Sequence, residues 1–198
     1  MNKTTAIAAI IVIVVLGLIW GGRGTKKDNR PSPAASPLLT KAALPDEGDM
    51  IVLNAADYEK IEGPVKVLDD PSCAGGKCLF VPDKVLGKPV KLTAKAVYRF
   101  TVKKAGRYKL WIRHWWQDEC GNSLLVSFDG GERMLFGDDG TVNHWRWPPA
   151  LKMTVELEAG EHVLEIIPRE DGLKFDQIIL TTDPEYYPVG IMKKPAEE

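Results

Sequence analysis

Beyond residue 49, glycine-bearing turn signals recur so closely that no long helix fits between them. Short apolar or alternating runs, MIVLN, VKVL, KCLFV, AVYRFTV, RYKLWIRHWW, SLLVSF, RMLF, KMTVELE, EHVLEII and LKFDQIIL, are punctuated by KKAG, DGG, DDG, EAGE and REDG. Runs of this length, rich in β-branched and aromatic residues and bounded by such turns, read as strands. About ten of them in about 135 residues fit an all-β sandwich or barrel and leave no room for the crossover helices of a parallel sheet.

The chain before this region has a different character. Residues 4–22, TTAIAAIIVIVVLGLIWGG, carry no charge and are long enough to cross a hydrocarbon core as one helix, with Trp20 at its end. The run passes into Trp20, Gly21, Gly22 and Arg23 without a small-x-small cleavage pattern, so we expect an uncleaved signal anchor at 1–22. Residues 23–48, with four prolines and no sustained apolar period, read as a disordered linker. The expected sandwich spans 49–183 and a tail spans 184–198. Arg23, Lys26, Lys27 and Arg30 follow the apolar run and by the positive-inside rule would sit in the cytoplasm. We nevertheless expect the domain outside it, periplasmic or on the cell surface, for reasons of cysteine spacing and function given below. A formal net charge of -1 gives no electrostatic footprint for nucleic acid.

Alternation sorts the faces. Tyr108, Leu110 and Ile112 fall on one side of RYKLWIRHWW and are expected in the core, while Lys109, Trp111, Arg113 and Trp115 share the other. Met153, Val155 and Leu157 form a second core set. In EHVLEII the parity is open between Val163 with Glu165 and Leu164 with Ile166.

Few patterns carry chemistry. His114, His144 and His162 stand far apart without metal-ligand spacing, there is no G-x-S-x-G elbow, and AGGK at 74–77 lacks the spacing of a phosphate loop. The acids Asp118, Glu119, Asp138, Asp139, Glu170 and Asp171 all lie beside turns, where solvated carboxylates are ordinary. No catalytic residue and no metal site are expected. Cys73 and Cys78 are close enough to close a small disulfide loop in an oxidising compartment, with reduced buried thiols as the alternative. Cys120 is left over and is expected to be buried and free.

Residues 114–123, HWWQDECGNS, raise a binding question instead. A sugar offers apolar C–H faces and fixed hydroxyls, which call for flat aromatics to stack on and planar amides or carboxylates to bridge hydroxyl pairs. Trp115, Trp116, Asp118 and Asn122 have those types, Trp145 and Trp147 in TVNHWRWPP add two aromatics, and Glu170 and Asp171 in REDG add acceptors. These eight are the expected ligand-binding residues. Large aromatics also cap sandwich cores, so each tryptophan has a packing role as its alternative.

The order of these runs carries a resemblance. AGRYKLWIRHWW, NSLLVSFDGG, VELEAGEHVLEII and DGLKFDQIIL resemble successive strands of the galactose-binding-like β-jelly roll of carbohydrate-binding modules of families 6 and 35. The resemblance covers about residues 50–183 and implies a jelly-roll sandwich, a carbohydrate or cell-envelope glycan as partner, and no catalysis. It also implies a structural calcium held by a Glu-Ala-Glu strand and an aspartate of the final strand. The matching LNAADYE has Asn54 and Ala56 in place of those acids and leaves Asp176 alone, so no cofactor is expected. The expected function is that of a membrane-anchored, non-catalytic glycan-binding domain outside the cytoplasm. Its rival is a structural or protein-interaction sandwich of an envelope assembly, with the tryptophans buried.

Overall fold

The structure is a computed structural model that describes residues 49–86, 92–137, 140, 142–150 and 153–194. The expected anchor and linker lie outside the described residues. Among the described residues no helix is long and apolar enough to cross a membrane.

Among the described residues eleven strands follow in order: β1 (Met50–Asn54), β2 (Lys60–Glu62), β3 (Lys66–Asp69), β4 (Lys77–Val81), β5 (Lys95–Val102), β6 (Gly106–Trp116), β7 (Ser123–Phe128), β8 (Met134–Gly137), β9 (Met153–Leu157), β10 (Gly160–Pro168) and β11 (Leu173–Thr181). They form two antiparallel sheets. One runs β3-β4-β11-β6-β9 with β1 also on β11, and the other runs β2-β5-β10-β7-β8. β1 and β4 share one edge of β11, pairing with Gln177–Thr181 and Leu173–Phe175 respectively. The all-β sandwich expected from the sequence is therefore present.

The two sheets close over one apolar layer. Tyr108, Leu110 and Ile112 of β6 are fully buried in it, and β6 continues the same alternation through His114 and Trp116. On β10 the open parity resolves to Leu164 and Ile166, both fully buried, with Val163 and Glu165 on the outer side. Met153 and Leu157 are buried and Val155 packs against the same cluster. Tyr98 keeps its ring in this layer by donating its hydroxyl to the Ala55 carbonyl at 2.8 Å, which satisfies a polar atom that burial would otherwise strand.

β11 departs from simple alternation. Leu173 and Phe175 face the core, then the register against β6 slips between Phe175 and Gln177, and Ile178 and Leu180 take over the inner face. Asp176 is the extra residue of this bulge. The slip turns Asp176 and Gln177 to the outer side, where Lys174 and Ile179 also stand.

Residues 184–194 cover part of that outer face. Trp111, Trp147, Val52 and Ile179 form a second buried cluster, with Tyr186 and Met192 packed against it. The Gln177 amide donates to Met192 O at 2.7 Å and accepts from Met192 N at 2.8 Å. Trp147 Nε1 donates to Gly190 O at 2.8 Å, and Lys109 Nζ donates to the Pro184 carbonyl.

Truncating the core at Ile112, fully buried on β6, should cost about 2–5 kcal/mol by lost burial plus the cavity left behind. Urea denaturation of Ile112→Ala beside the unaltered protein measures this. A change within a few tenths of a kcal/mol would mean that the inner face of β6 is not the core.

Candidate functional site

The chain at 143–147 extends the sheet where β9 stops. His114 N donates to Arg146 O at 2.9 Å, Arg146 N returns to His114 O at 3.0 Å, and Asn143 N donates to Trp116 O at 2.7 Å. With His114 opposite Arg146 in an antiparallel pair, Trp145 stands opposite Trp115 and Trp147 opposite Arg113, all on the outer face. On the other side of β6, Lys174 is the cross-strand partner of Trp115, and Phe80 of β4 is the partner of Lys174.

Phe80, Lys174, Trp115 and Trp145 therefore form one row across four neighbouring chain segments. At about 4.8 Å per strand the row is roughly 14–15 Å long. All four side chains are partly buried. Lys174 Nζ lies 4.2 Å from the centroid of the Trp115 ring, a cation–π contact that holds both in place. Beside them a cleft of about 330 Å³ is lined by Phe80, Pro82, Asp83, Trp115, Gln117 and Lys174, among others.

Trp145 is supported from below. The Arg113 guanidinium lies 5.0 Å from its ring centroid, and Arg113 Nη1 donates to Oδ2 of the buried Asp176, which also accepts from Ala74 N at 2.8 Å. Burial raises the Asp176 carboxyl above the ordinary aspartate range, against the lowering effect of the Ala74 amide and the Arg113 guanidinium. The positive partner of Asp176 is thus a guanidinium. Asp176 Oδ1 is buried without a hydrogen-bond partner, but the further acids that would complete a calcium set around it are missing among the described residues. Asp176 Oδ2 is committed, and Asn54 Oδ1 accepts from Gln177 Nε2 at 3.1 Å.

The expected ligand residues separate. Trp115 and Trp145 come together on the open face. Trp116 is fully buried on the inner face, stacked on His114 at 4.2 Å between centroids, and belongs to the core. Trp147 is buried beneath residues 184–194. Both leave the binding set because no ligand can reach their rings.

The polar residues tie loops. Asp118 Oδ1 accepts from Cys120 N at 2.8 Å and Gly121 N at 2.9 Å, folding its own turn. Glu170 Oε2 accepts from Asn122 N at 3.0 Å and Ser123 Oγ at 2.8 Å, while Oε1 accepts from Arg169 at 2.5 Å. Asp171 Oδ2 accepts from Leu86 N at 3.3 Å. The loop 117–122 thereby clasps the turn 169–172, so closely that a Cβ on Gly121 would stand 2.4 Å from Asp171 O. None of Asp118, Asn122, Glu170 and Asp171 lines the cleft. Cys73 and Cys78 are buried free thiols, whereas Cys120 is exposed, contrary to expectation, because its loop projects past the end of β6.

Phe80, Asp83, Gln117 and Lys174 are site residues that the sequence reading did not name. Parity within LKF and CLF put Lys174 and Phe80 on the outer side, but only strand order makes them neighbours of Trp115.

No family model matches this sequence. The uncharacterized protein P23 of Formosa agariphila is 30% identical over 162 residues, covering 73% of this chain, which spans only 37% of that relative. Among solved structures, a family 35 carbohydrate-binding module from Clostridium thermocellum aligns over 67% of this chain and 98% of its own, with a TM-score of 0.54 at 16% identity. The module CBM6cm-2 of Cellvibrio mixtus lichenase 5A, solved with cellotriose, aligns over 67% and 97% with a TM-score of 0.50 at 19% identity. The Podospora anserina GH26-CBM35 β-(1,4)-mannanase aligns over 71% of this chain and 29% of its own, with a TM-score of 0.54 at 16% identity. The domain thus has the β-jelly-roll fold seen in carbohydrate-binding modules of families 6 and 35.

Replacing Arg113 by Met should leave Asp176 buried without its charge partner and lower stability by about 3–5 kcal/mol near neutral pH. A carboxyl whose folded pKa is raised stabilises the fold in its protonated form, an effect complete below its unfolded pKa and lost as pH rises through the folded one. The deficit of Arg113→Met relative to the unaltered protein should therefore shrink on acidification toward about pH 4, the ordinary aspartate value. Urea melts at the two pH values check this, and a pH-independent deficit would contradict it.

Proposed function

We propose that this domain is a non-catalytic glycan-binding module whose ligand lies along the Phe80–Lys174–Trp115–Trp145 row. One observation carries the reading: two partly exposed indoles and a cation are aligned on the open outer face of a fold shared with carbohydrate-binding modules.

The chemistry is that of stacking and hydroxyl capture. The apolar face of a pyranose lies on the indole of Trp115 or Trp145, removing both surfaces from water. Lys174 Nζ donates to ring substituents, and Gln117 and Asp83, at the cleft wall, accept from hydroxyls. Both indoles are set by neighbours before any ligand arrives, Trp115 by Lys174 and Trp145 by Arg113, so little ordering remains to be done on binding. The carboxylates Asp118 and Glu170 are occupied in tying loops, which leaves them out of the reacting geometry a glycosidase would require.

The same reading extends to the whole chain. Residues 4–22 tether the module to a membrane, and it faces away from the cytoplasm, where envelope glycan is available. The uncharged run supports the tether.

In titration calorimetry on saccharides selected from a glycan array, Trp115→Ala or Trp145→Ala in the full chain should weaken binding by about 1–3 kcal/mol while leaving the melting temperature close to that of the unaltered protein. Absence of any saccharide ligand for the folded, unaltered chain would discard the glycan reading in favour of the protein-interaction sandwich.

Protease added to intact cells should remove the domain and leave the anchor. Complete protection would place the domain in the cytoplasm, as the charges after residue 22 imply.

A further inference from the structure

Cys73 and Cys78 lie side by side under the outer face of the first sheet. Cys78 is the second residue of β4, on the side away from the main core, and Cys73 ends the turn that follows β3. The four residues between them double back on themselves. Gly76 N donates to Cys73 O, Cys73 N to Asp70 O and Asp70 N to Gly76 O, each at 2.9 Å. The reversal requires left-handed backbone at Gly75 (φ 66°) and Gly76 (φ 75°), which glycine adopts without strain. The result is that both thiols, 3% and 0% exposed, are buried at the two ends of one closed turn. Burial pushes both thiols up, and Cys73 the further of the two, so each keeps its proton while the loop is closed.

The loop they bracket also holds the support of the aromatic row. Ala74, next to Cys73, is fully buried and donates its N–H to Asp176, which holds Arg113 beneath Trp145. A metal is a poor occupant for the pair, because no third ligating side chain joins the two sulfurs among the described residues.

We infer that Cys73 and Cys78 are an oxidation site, a dithiol that closes to an intramolecular disulfide and thereby locks the 73–78 loop onto Asp176. The reaction needs a disulfide oxidant such as glutathione disulfide. One protein thiolate attacks a sulfur of the oxidant, breaking its S–S bond, forming a mixed disulfide and releasing one glutathione thiolate. The second protein thiolate then attacks the protein sulfur of that mixed disulfide and releases the second glutathione thiolate. Two protein thiols are oxidised to one S–S bond, one oxidant disulfide is reduced to two thiols, and the two protons end on the released glutathione. Because both sulfurs are buried, the exchange proceeds through opening of the 70–76 loop. Once formed, the bond is shielded from reductants by the same burial. Cys120, exposed on another loop, has no such neighbour and stops at the mixed disulfide. The inference does not depend on the glycan reading.

The test compares two redox forms of one sequence, so no variant has to fold. The full chain is refolded in a buffer of reduced and oxidised glutathione, the thiols remaining are alkylated in denaturant, and the product is mapped by mass spectrometry. The expected product has a Cys73–Cys78 link, two hydrogens lighter than the dithiol, with Cys120 alkylated or carrying glutathione. Closing this six-residue loop should raise the folded-to-unfolded ratio roughly fortyfold over the reduced form, about 2 kcal/mol by loop entropy. Hydrogen exchange at the Ala74 amide should slow by roughly tenfold or more, as expected if loop opening is what the link suppresses. Recovery of both thiols as alkylated cysteines, a link involving Cys120, or an oxidised form no more stable than the reduced one would each overturn the inference.

Discussion

The carboxylate of Asp176 is fully buried in the middle of β11, the strand that pairs with β1, β4 and β6. A bulge places it there. By inserting one residue against β6, the bulge lets Leu173 and Phe175 face the core before it and Ile178 and Leu180 after it, although the two pairs differ in parity. The buried charge then needs a partner, and it takes two: the Ala74 amide from the loop after β3 and the Arg113 guanidinium from β6. Three distant stretches are thereby held at one point. A buried ion pair is weak grounds for net stability, since desolvation offsets most of the attraction, but it is strict about geometry. Here that strictness sets where Trp145 lies, because the guanidinium that answers Asp176 also supports the indole.

Regular alternation was legible in the sequence and irregular geometry was not. β6 alternates the facing of its side chains, with Trp111 buried on the outer side only because other residues cover it, so Tyr108, Leu110 and Ile112 could be assigned to the core and Trp115 to the opposite face from the sequence alone. The same rule applied to HWW would also have assigned Trp116 inward, next to His114. Its chemical likeness to Trp115 hid that. Trp147 misled for a different reason. Parity puts it on the outer face, correctly, but outer means exposed only where nothing covers the sheet, and residues 184–194 cover it. The roles of Asp118, Asn122, Glu170 and Asp171 were illegible because a carboxylate beside a turn satisfies backbone amides as readily as sugar hydroxyls. Which it does depends on loop-to-loop distances that only the fold supplies.

The outer face of the first sheet is therefore divided. One part, around Trp111, Trp147 and Ile179, is an apolar patch of the kind that would associate with another surface if left bare, and the chain's own residues 184–194 occupy it. Gln177 fixes that covering segment through a two-way amide exchange with Met192, and Trp147 adds its N–H to Gly190. The other part, around Trp115 and Trp145, carries no such cover among the described residues. The difference follows from polarity. Trp115 has a lysine across the strand and Trp145 an arginine beneath it, so each ring is already paired with a cation and tolerates water at its remaining surface.

That pairing also bears on what kind of surface this is. An apolar interface between proteins gains most from burying bare aromatics in a dry patch, and a lysine left inside one would have to give up its hydration. A sugar makes the opposite demand. Its faces alternate C–H surface with hydroxyls that must keep hydrogen-bonding partners once water leaves. A row in which aromatic, ammonium and aromatic succeed each other at the strand spacing meets that alternation, with flat surface for the ring and a donor for the groups at its edge. The near-neutral charge of the chain suits the proposed glycan ligand, since a ligand held by stacking and hydroxyl contacts is recognised at short range and needs no long-range field to bring it in.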